Sequence, residues 1–245
     1  MKIMTFNTQH CLDYIKRKID FSLMGDTIKN QGADIVGLNE MFDNSSLEEY
    51  DKQTEKVGKS TTLSNFFFAK AIDDPCGEYG NSILSRYPIA SAESIIIPDP
   101  DPKEYNGYYE TRCVLKAVLE NGLTVLVTHY GLNPDEQKNA VDTVLKHITD
   151  TKCILMGDFN VMPDDPVIAP IKARMKDTAD LFTEPKLSFP SDKPEIKIDY
   201  IFVSPDLANA VDTYTVCPAK RDGQWISDHN AIIATITLSA TETQE

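Results

Sequence analysis

The stretch Cys153-Ile154-Leu155-Met156-Gly157-Asp158-Phe159-Asn160 is a short apolar run that ends abruptly at a carboxylate and a carboxamide. Its first four residues do not alternate between polar and apolar, which predicts a strand covered on both faces. Because residues two apart on a strand share a face, Asp158 and Asn160 are expected to point the same way and to orient one water molecule. This pattern favours a hydrolase. The alternative is a strand that runs into an ordinary Asx turn.

Length and composition predict one domain. A chain of 245 residues with 41% hydrophobic content can bury a large core, so we expect a single domain over residues 1–240 and a frayed tail at 241–245. The 24 basic and 38 acidic residues give a net charge of -14, which counts against a general nucleic-acid binder.

Cysteine usage and hydropathy predict the compartment. The five cysteines are odd in number and form no C-x-x-C pair, so we expect reduced thiols in or near the core. The sequence shows neither an apolar leader segment nor an apolar run that approaches the length of a membrane span. These features predict a cytoplasmic protein without a membrane span.

Apolar periodicity predicts alternating strands and helices followed by a region of hairpins. Helices are expected at 20–31, at 46–58 as a solvated outer face, and at 133–147. Strands are expected at 2–7, 35–38, 65–71, 82–85, 89–98, 113–119, 124–129, 153–160, 198–203, 214–217 and 231–238. The turn-rich loop 99–109 carries three tyrosines and is either a cleft rim or an ordinary surface loop. The chain is therefore assigned to the α/β class.

Polar residues recur where these strands end. Asn7 and His129 each follow an apolar strand, but an isolated Asn or His in this position is commonly a turn former or a satisfied core residue. Glu40 and Asp199 are sharper signals, because a carboxylate among apolar residues requires a partner. His229 could find that partner in Asp199, since the adjacent Asp228 would point to the other side of the strand.

Together these motifs resemble the endonuclease/exonuclease/phosphatase superfamily of metal-dependent phosphoesterases. The resemblance covers almost the whole chain, in the order Thr5-Phe6-Asn7, Gly37-Leu38-Asn39-Glu40, Gly80-Asn81-Ser82-Ile83-Leu84-Ser85-Arg86, Thr111-Arg112, Thr128-His129, Gly157-Asp158-Phe159-Asn160, Ile198-Asp199-Tyr200-Ile201-Phe202 and Ser227-Asp228-His229. Asn39 departs from the usual glutamine. The resemblance implies a four-layer α/β/β/α sandwich of two packed mixed sheets with the site at one edge.

The resemblance also implies residue roles. Asn7, Glu40 and Asp228 are expected to hold Mg²⁺, for which Mn²⁺ could substitute. Catalytic roles fall on Asp158, which would orient or deprotonate the attacking water, and on Asn160, His129 and the pair His229 and Asp199. Substrate contacts are expected from Arg112, Asn81 and Tyr109.

The expected reaction is hydrolysis of a small-molecule or headgroup phosphodiester or phosphomonoester. A DNA endonuclease or exonuclease would use the same residues, but the chain lacks a cluster of Lys and Arg. A non-catalytic binding module is a second alternative, although none of Glu40, Asp158, Asp199 or His229 is missing. The oligomeric state stays open.

Overall fold

The computed structural model describes residues 1–14, 16–183, 186–221 and 223–237. Its strands are β1 (Lys2–Asn7), β2 (Ile35–Asp43), β3 (Asn65–Asp74), β4 (Gly77–Ser85), β5 (Ile89–Ile96), β6 (Cys113–Leu119), β7 (Thr124–His129), β8 (Cys153–Asp158), β9 (Lys176–Asp177), β10 (Asp199–Val203), β11 (Val211–Cys217), β12 (Lys220–Arg221), β13 (Gln224–Trp225) and β14 (Ala231–Ile236). Its α-helices are α1 (Phe21–Gln31), α2 (Gln53–Ser60), α3 (Pro134–Leu145), α4 (Ala169–Arg174) and α5 (Pro205–Ala208). Single 3-10 turns lie at Gln9–Cys11, Glu48–Tyr50, Pro166–Ile168 and Thr178–Leu181.

Two six-stranded sheets carry the fold. The first has the order β11-β14-β1-β2-β4-β3 and the second the order β5-β6-β7-β8-β10-β9. Both sheets are mixed, because β1 pairs with β2 and β7 with β8 in parallel while the flanking pairs are antiparallel. Strands β12 and β13 form a separate hairpin.

The apolar side chains define four layers. One cluster lies between the sheets and includes Ile3 and Met156. A second joins α3 and α4 to the outer face of the second sheet, and a third joins α1 and α2 to the outer face of the first. The inner faces of the two sheets pack against each other, and the helices cover the outer face of each sheet. The predicted α/β/β/α sandwich is therefore confirmed.

Strand β8 is buried along its whole length. Ile154 and Met156 point into the core between the sheets, whereas Cys153 and Leu155 point toward the helices. Because both faces are covered, the run needs apolar residues at every position, which explains the absence of alternation in the sequence.

The predicted helix at 46–58 is wrong in its bounds and its surroundings. The chain forms a 3-10 turn at Glu48–Tyr50, turns left-handed at Lys52, and begins α2 only at Gln53. Gln53 is buried and its Oε1 accepts the backbone N–H of Phe42, so α2 is anchored to the first sheet and is not a solvated face. The break occurs because this carboxamide must reach a free donor of β2.

Several strand bounds also differ: β2 continues to Asp43 rather than ending at 38, so Glu40 lies within it, β4 begins at Gly77 rather than at 82, and β8 ends at Asp158 rather than at 160. Strand β5 ends two residues before Pro98, where the prediction placed its end, and β14 ends at Ile236. The predicted tail at 241–245 and the last residue of the predicted final strand, Leu238, lie outside the described residues. All five cysteines are free thiols, as the odd number indicated. Among the described residues, none of the helices has both the length and the apolar character that a membrane crossing requires.

We predict that Gly157→Ala lowers the free energy of unfolding by about 3 kcal/mol or more. Gly157 has φ +142°, a region that side chains rarely adopt, and an added methyl group would collide with the carbonyl of Thr128. Gly122→Ala is the control, because Gly122 also has a positive φ, +81°, but faces open space. The control should lose only about 1–2 kcal/mol in urea unfolding. Equal losses would contradict the steric explanation.

Candidate active site

The fold brings the polar strand ends to one edge of the sandwich. Asn7 closes β1 and lies opposite Asn39 of β2 in the parallel pair. On the second sheet Asp158 lies between His129 of β7 and Asp199 of β10 in register. His229 precedes β14, which pairs with β1. The site therefore draws residues from both sheets.

Asp158 is the centre of this cluster and is almost fully buried, with 1% exposure. Its Oδ1 accepts the backbone N–H of Asn160 at 2.9 Å, and its Oδ2 accepts Nδ2 of Asn7 at 3.1 Å. Nε2 of His129 and Nε2 of His229 each lie 3.5 Å from the same Oδ2. Burial raises the pKa of the Asp158 carboxyl, while the charge of His229 opposes that rise. A raised pKa suits a carboxylate that takes a proton near neutral pH.

His229 is held in a charged form by two carboxylates. Its Nδ1 lies 2.9 Å from Oδ2 of Asp199 and donates to it. Burial tends to lower the pKa of the His229 imidazole, but Asp199 and Asp158 outweigh this effect and raise it above the ordinary value. The structure thus places Asp199, rather than Asp228, on the ring, which fixes its tautomer and orientation.

His129 is held in the opposite, neutral form. Arg112 donates from Nη1 to Nδ1 of His129 at 2.9 Å, so the ring proton resides on Nε2, which faces Asp158. Burial, the charge of Arg112 and the charge of His229 all lower the pKa of His129. The site therefore contains one cationic and one neutral imidazole on either side of a single carboxylate.

Arg112 is itself held by residues that the sequence did not single out. Its Nη1 lies 2.8 Å from Oε1 of Glu110 and 3.5 Å from the hydroxyl of Tyr79. Its guanidinium also lies 5.9 Å from the centre of the Tyr79 ring. Glu110 is two residues before Arg112 in the chain, whereas Tyr79 reaches Arg112 because the fold brings β4 next to the start of β6.

Glu40 lies in a bulge of β2 with the left-handed φ of 60°. The bulge turns its carboxylate toward the cluster, where Oε1 accepts Nδ2 of Asn7 at 3.0 Å. Burial raises the pKa of the Glu40 carboxyl, although the hydrogen bond from Asn7 opposes this. Asp228 lies nearby and its Oδ2 accepts Nε2 of Gln9 at 3.3 Å. A cation beside Glu40 would compensate the cost of burying its charge.

The donors near Glu40 fit a hard divalent ion, since carboxylate and amide oxygens are what Mg²⁺ prefers. Asn7 presents its amide nitrogen to both Glu40 and Asp158, so only its oxygen, which accepts the N–H of Gln9 at 3.1 Å, could ligate. A tighter group of possible ligands, Asp158, Asp199 and His229, also exists among the described residues. Both ring nitrogens of His229 already face carboxylates. We therefore interpret Asp158, Asp199 and His229 as residues that transfer protons and share charge, rather than as ligands of an ion.

Asn39 is the main functional residue that the sequence did not reveal. Its Nδ2 donates to Oδ1 of Asn81 at 2.8 Å and to the carbonyl of Thr128 at 2.9 Å, and its Oδ1 accepts the N–H of Asp158 at 3.0 Å. Nδ2 of Asn81 continues the network to the carbonyl of Cys113 at 3.0 Å. These bonds link the two sheets directly behind Asp158. In the sequence, the replacement of the usual glutamine by Asn39 was the feature that could have drawn attention to this residue.

Three predicted site residues have other contacts in this structure. Asn160 has φ 49° and its Nδ2 donates to the carbonyl of Tyr130. Asn81 is engaged in the inter-sheet network described above, and the Tyr109 hydroxyl donates to Asp135 at 2.7 Å. The predicted rim loop, together with α3, lines a groove of about 910 Å³, but the described lining of this groove does not include Asp158 or the histidines around it.

Comparisons with known proteins identify the family of the chain. The sequence model of the Endonuclease/Exonuclease/phosphatase family matches residues 4–229. The uncharacterized protein YbhP of Escherichia coli K12 is 24% identical over 251 residues, which cover 97% of this chain and 96% of YbhP.

Solved structures share the fold. The mannosyl-6-phosphatase of Bacteroides thetaiotaomicron superposes with a TM-score of 0.75 at 16% identity, covering 97% of this chain and 100% of that one. A 3′ phosphatase, NExo from Neisseria, bound to a product DNA hairpin, superposes with a TM-score of 0.68 at 16% identity, with the same coverage. At such identities these likenesses establish the fold alone.

We predict that Asn39→Ala lowers the free energy of unfolding by about 3 kcal/mol, because it leaves several buried groups unpaired at about 1–3 kcal/mol each. Turnover should also fall, since Asn39 binds the N–H of Asp158 and the carbonyl of Thr128, the residue before His129. Asn121→Ala is the control, because the Asn121 side chain accepts one hydrogen bond in an exposed turn. The control should lose less than about 1 kcal/mol in urea unfolding. Similar losses would refute the special role of Asn39.

Proposed function

Because the chain belongs to the endonuclease/exonuclease/phosphatase family, we propose that it is a metal-dependent phosphoesterase that hydrolyses a small phosphate ester. The observation that carries the proposal is the buried carboxylate of Asp158, which lies 3.5 Å from one neutral and one cationic imidazole. In-line displacement at phosphorus requires positioning and neutralisation of charge more than covalent chemistry.

In the proposed mechanism Asp158 orients the attacking water and takes its proton. The backbone N–H of Asn160 fixes Oδ1, while Oδ2 faces Asn7 and the two imidazoles. The cationic His229 and the N–H of neutral His129 would stabilise the charge that develops on the phosphoryl oxygens. Arg112 would contact the same phosphoryl group, with its orientation set by Glu110 and Tyr79.

Glu40, Asn7 and Asp228 would hold Mg²⁺ at the other side of the site. A bound divalent ion would neutralise charge on the phosphoryl group and help to align the ester. The raised pKa of Glu40 supports this assignment, because the ion would favour the carboxylate over its protonated form.

The charge distribution supports a small substrate. The chain carries a net charge of -14, and Glu110 already offsets the positive charge of Arg112 at a distance of 2.8 Å. The loop 99–109, in which Asp99 accepts the hydroxyl of Thr111 next to Arg112, adds Asp99, Asp101 and Glu104. A long polyanion would be repelled, whereas one or two charges could be neutralised by the ion and Arg112. Among structural relatives, the mannosyl-6-phosphatase is named for a substrate of this size.

We predict Mg²⁺-dependent release of phosphate or alcohol from at least one ester in a panel of sugar phosphates, chromogenic monoesters and chromogenic diesters. Activity should disappear in excess chelator and return with Mg²⁺ or Mn²⁺, because Glu40 and Asn7 would lose and regain the ion. Activity that persists in excess chelator would overturn the metal-dependent mechanism.

The same preparation should be compared on a plasmid and on an abasic-site duplex under identical Mg²⁺ conditions. Weak duplex binding without a steep dependence on salt is the expected result. Tight duplex binding with a steep salt dependence, or efficient nicking at low enzyme concentration, would favour a nuclease instead.

A double-mutant cycle tests whether Asp199 acts through the imidazole of His229. His229→Ala should lower kcat by about two to four powers of ten, the usual range for a positioned acid–base or charge-stabilising group. Asp199→Asn should cost less, and the double variant should resemble His229→Ala, because Asp199 acts through His229. Steady-state kinetics and urea unfolding of all four proteins give the measurement. Additive losses in kcat would show that the two residues work independently.

A further inference from the structure

The turn that follows β1 has an unusual backbone. Gln9, His10 and Cys11 have φ values of 47°, 47° and 62°, and none of them is glycine. Non-glycine residues occupy this left-handed region only where surrounding contacts impose it, and such positions concentrate at functional sites.

The contacts that impose the turn are local and specific. The N–H of Cys11 donates to the carbonyl of Thr8 at 3.0 Å, and the carbonyl of His10 accepts Nε2 of the buried Gln53 at 3.2 Å. The His10 ring is edge-on to Phe42, with ring centres 5.8 Å apart, and also neighbours Tyr50. The position of the imidazole is therefore fixed from both the backbone and the ring side.

The result of this geometry is that two consecutive side chains face the proposed metal site. Nε2 of Gln9 reaches Oδ2 of Asp228, and Nδ1 of His10 lies 3.7 Å from Oε2 of Glu40. This last distance is too long for a hydrogen bond. Nδ1 of His10 is nevertheless shielded from solvent and has no hydrogen-bond partner among the described residues. A buried ring nitrogen without a partner needs another explanation.

A shared ion provides that explanation. Nitrogen and oxygen ligands bind divalent ions at about 2.0–2.2 Å, so two ligands of one ion lie roughly 3–4 Å apart. The separation of His10 Nδ1 and Glu40 Oε2 falls in this range.

We propose that Nδ1 of His10 is a ligand of the same ion as Glu40, which makes this a mixed nitrogen and oxygen site. The inference rests on the proposed function, because it presupposes an ion at Glu40. An imidazole ligand increases affinity for divalent transition ions such as Co²⁺ and contributes little toward Mg²⁺, which prefers oxygen. His10 would thus set how strongly the site favours transition ions.

The test is direct ion binding, measured by calorimetry with Mg²⁺ and with Co²⁺ and by the visible absorption of bound Co²⁺. His10→Phe removes the nitrogen and keeps an aromatic ring against Phe42 and Tyr50. His10→Asn is the second variant, because asparagine tolerates a left-handed backbone and offers an oxygen. His147→Phe, which lies after α3, is the control for loss of a histidine, and Glu40→Gln is the control for loss of the ion site.

We expect both His10 variants to weaken Co²⁺ binding by about tenfold or more, a loss typical of perturbed metal sites, and to change the absorption of bound Co²⁺. Affinity for Mg²⁺ should change by less than about threefold, because Mg²⁺ gains little from an imidazole. His147→Phe should match the unmodified protein in both affinities and in the spectrum.

Unchanged Co²⁺ affinity and absorption in both His10 variants would overturn the inference and leave the proposed function intact. Equal losses for Mg²⁺ and Co²⁺ in both variants would also overturn it, since they would indicate a general packing role. If the unmodified protein bound neither ion and Glu40→Gln changed nothing, the metal-dependent function would fail together with the inference.

Discussion

The hydrogen bonds between the two sheets at Asn39 and Asn81 determine whether the site exists at all. Apolar packing between sheets is strong but has no direction, so it leaves their relative position loosely defined. The carboxamide of Asn39 removes this freedom, because it binds Thr128 and Asp158 of the second sheet from β2 of the first. The carboxamides of Asn39 and Asn81 are buried, and the oxygen and nitrogen of each have a partner, which is the condition under which a buried polar network specifies one arrangement.

Once the sheets are fixed, the site holds two histidines, His129 and His229, in different protonation states. His129 and His229 lie at the same distance from Asp158, yet Arg112 keeps the first neutral and Asp199 keeps the second charged. The difference arises from what each ring contacts on its far side. Such surroundings allow one carboxylate to face a hydrogen-bond donor and a cation at once, without any residue of unusual chemistry.

Local residue patterns predict buried strands such as β8, whereas the four-layer sandwich is predicted from the resemblance of the motifs to a known family. The sequence also singles out polar residues that the fold brings together, including Asp158 at the end of β8, Glu40 in the bulge of β2 and His229 just before β14. It does not predict contacts between residues distant in the chain, such as Arg112 with Tyr79. Nor does it predict the left-handed turn at His10 or the late start of α2, since buried partners of Gln53 override local propensity there.

The pairing of β1 with β14 has a consequence for how the chain folds during its synthesis. Lys2 pairs with Thr235, so β1, at the centre of the first sheet, lacks one of its two neighbours until the much later strand β14 has been synthesised. The loop preceding β14 also carries Asp228 and His229. A nascent chain that is still being translated therefore has an unfilled sheet and an incomplete site. Folding that relies on contacts so distant in sequence is slow, and the candidate site is complete only after β14 has paired with β1.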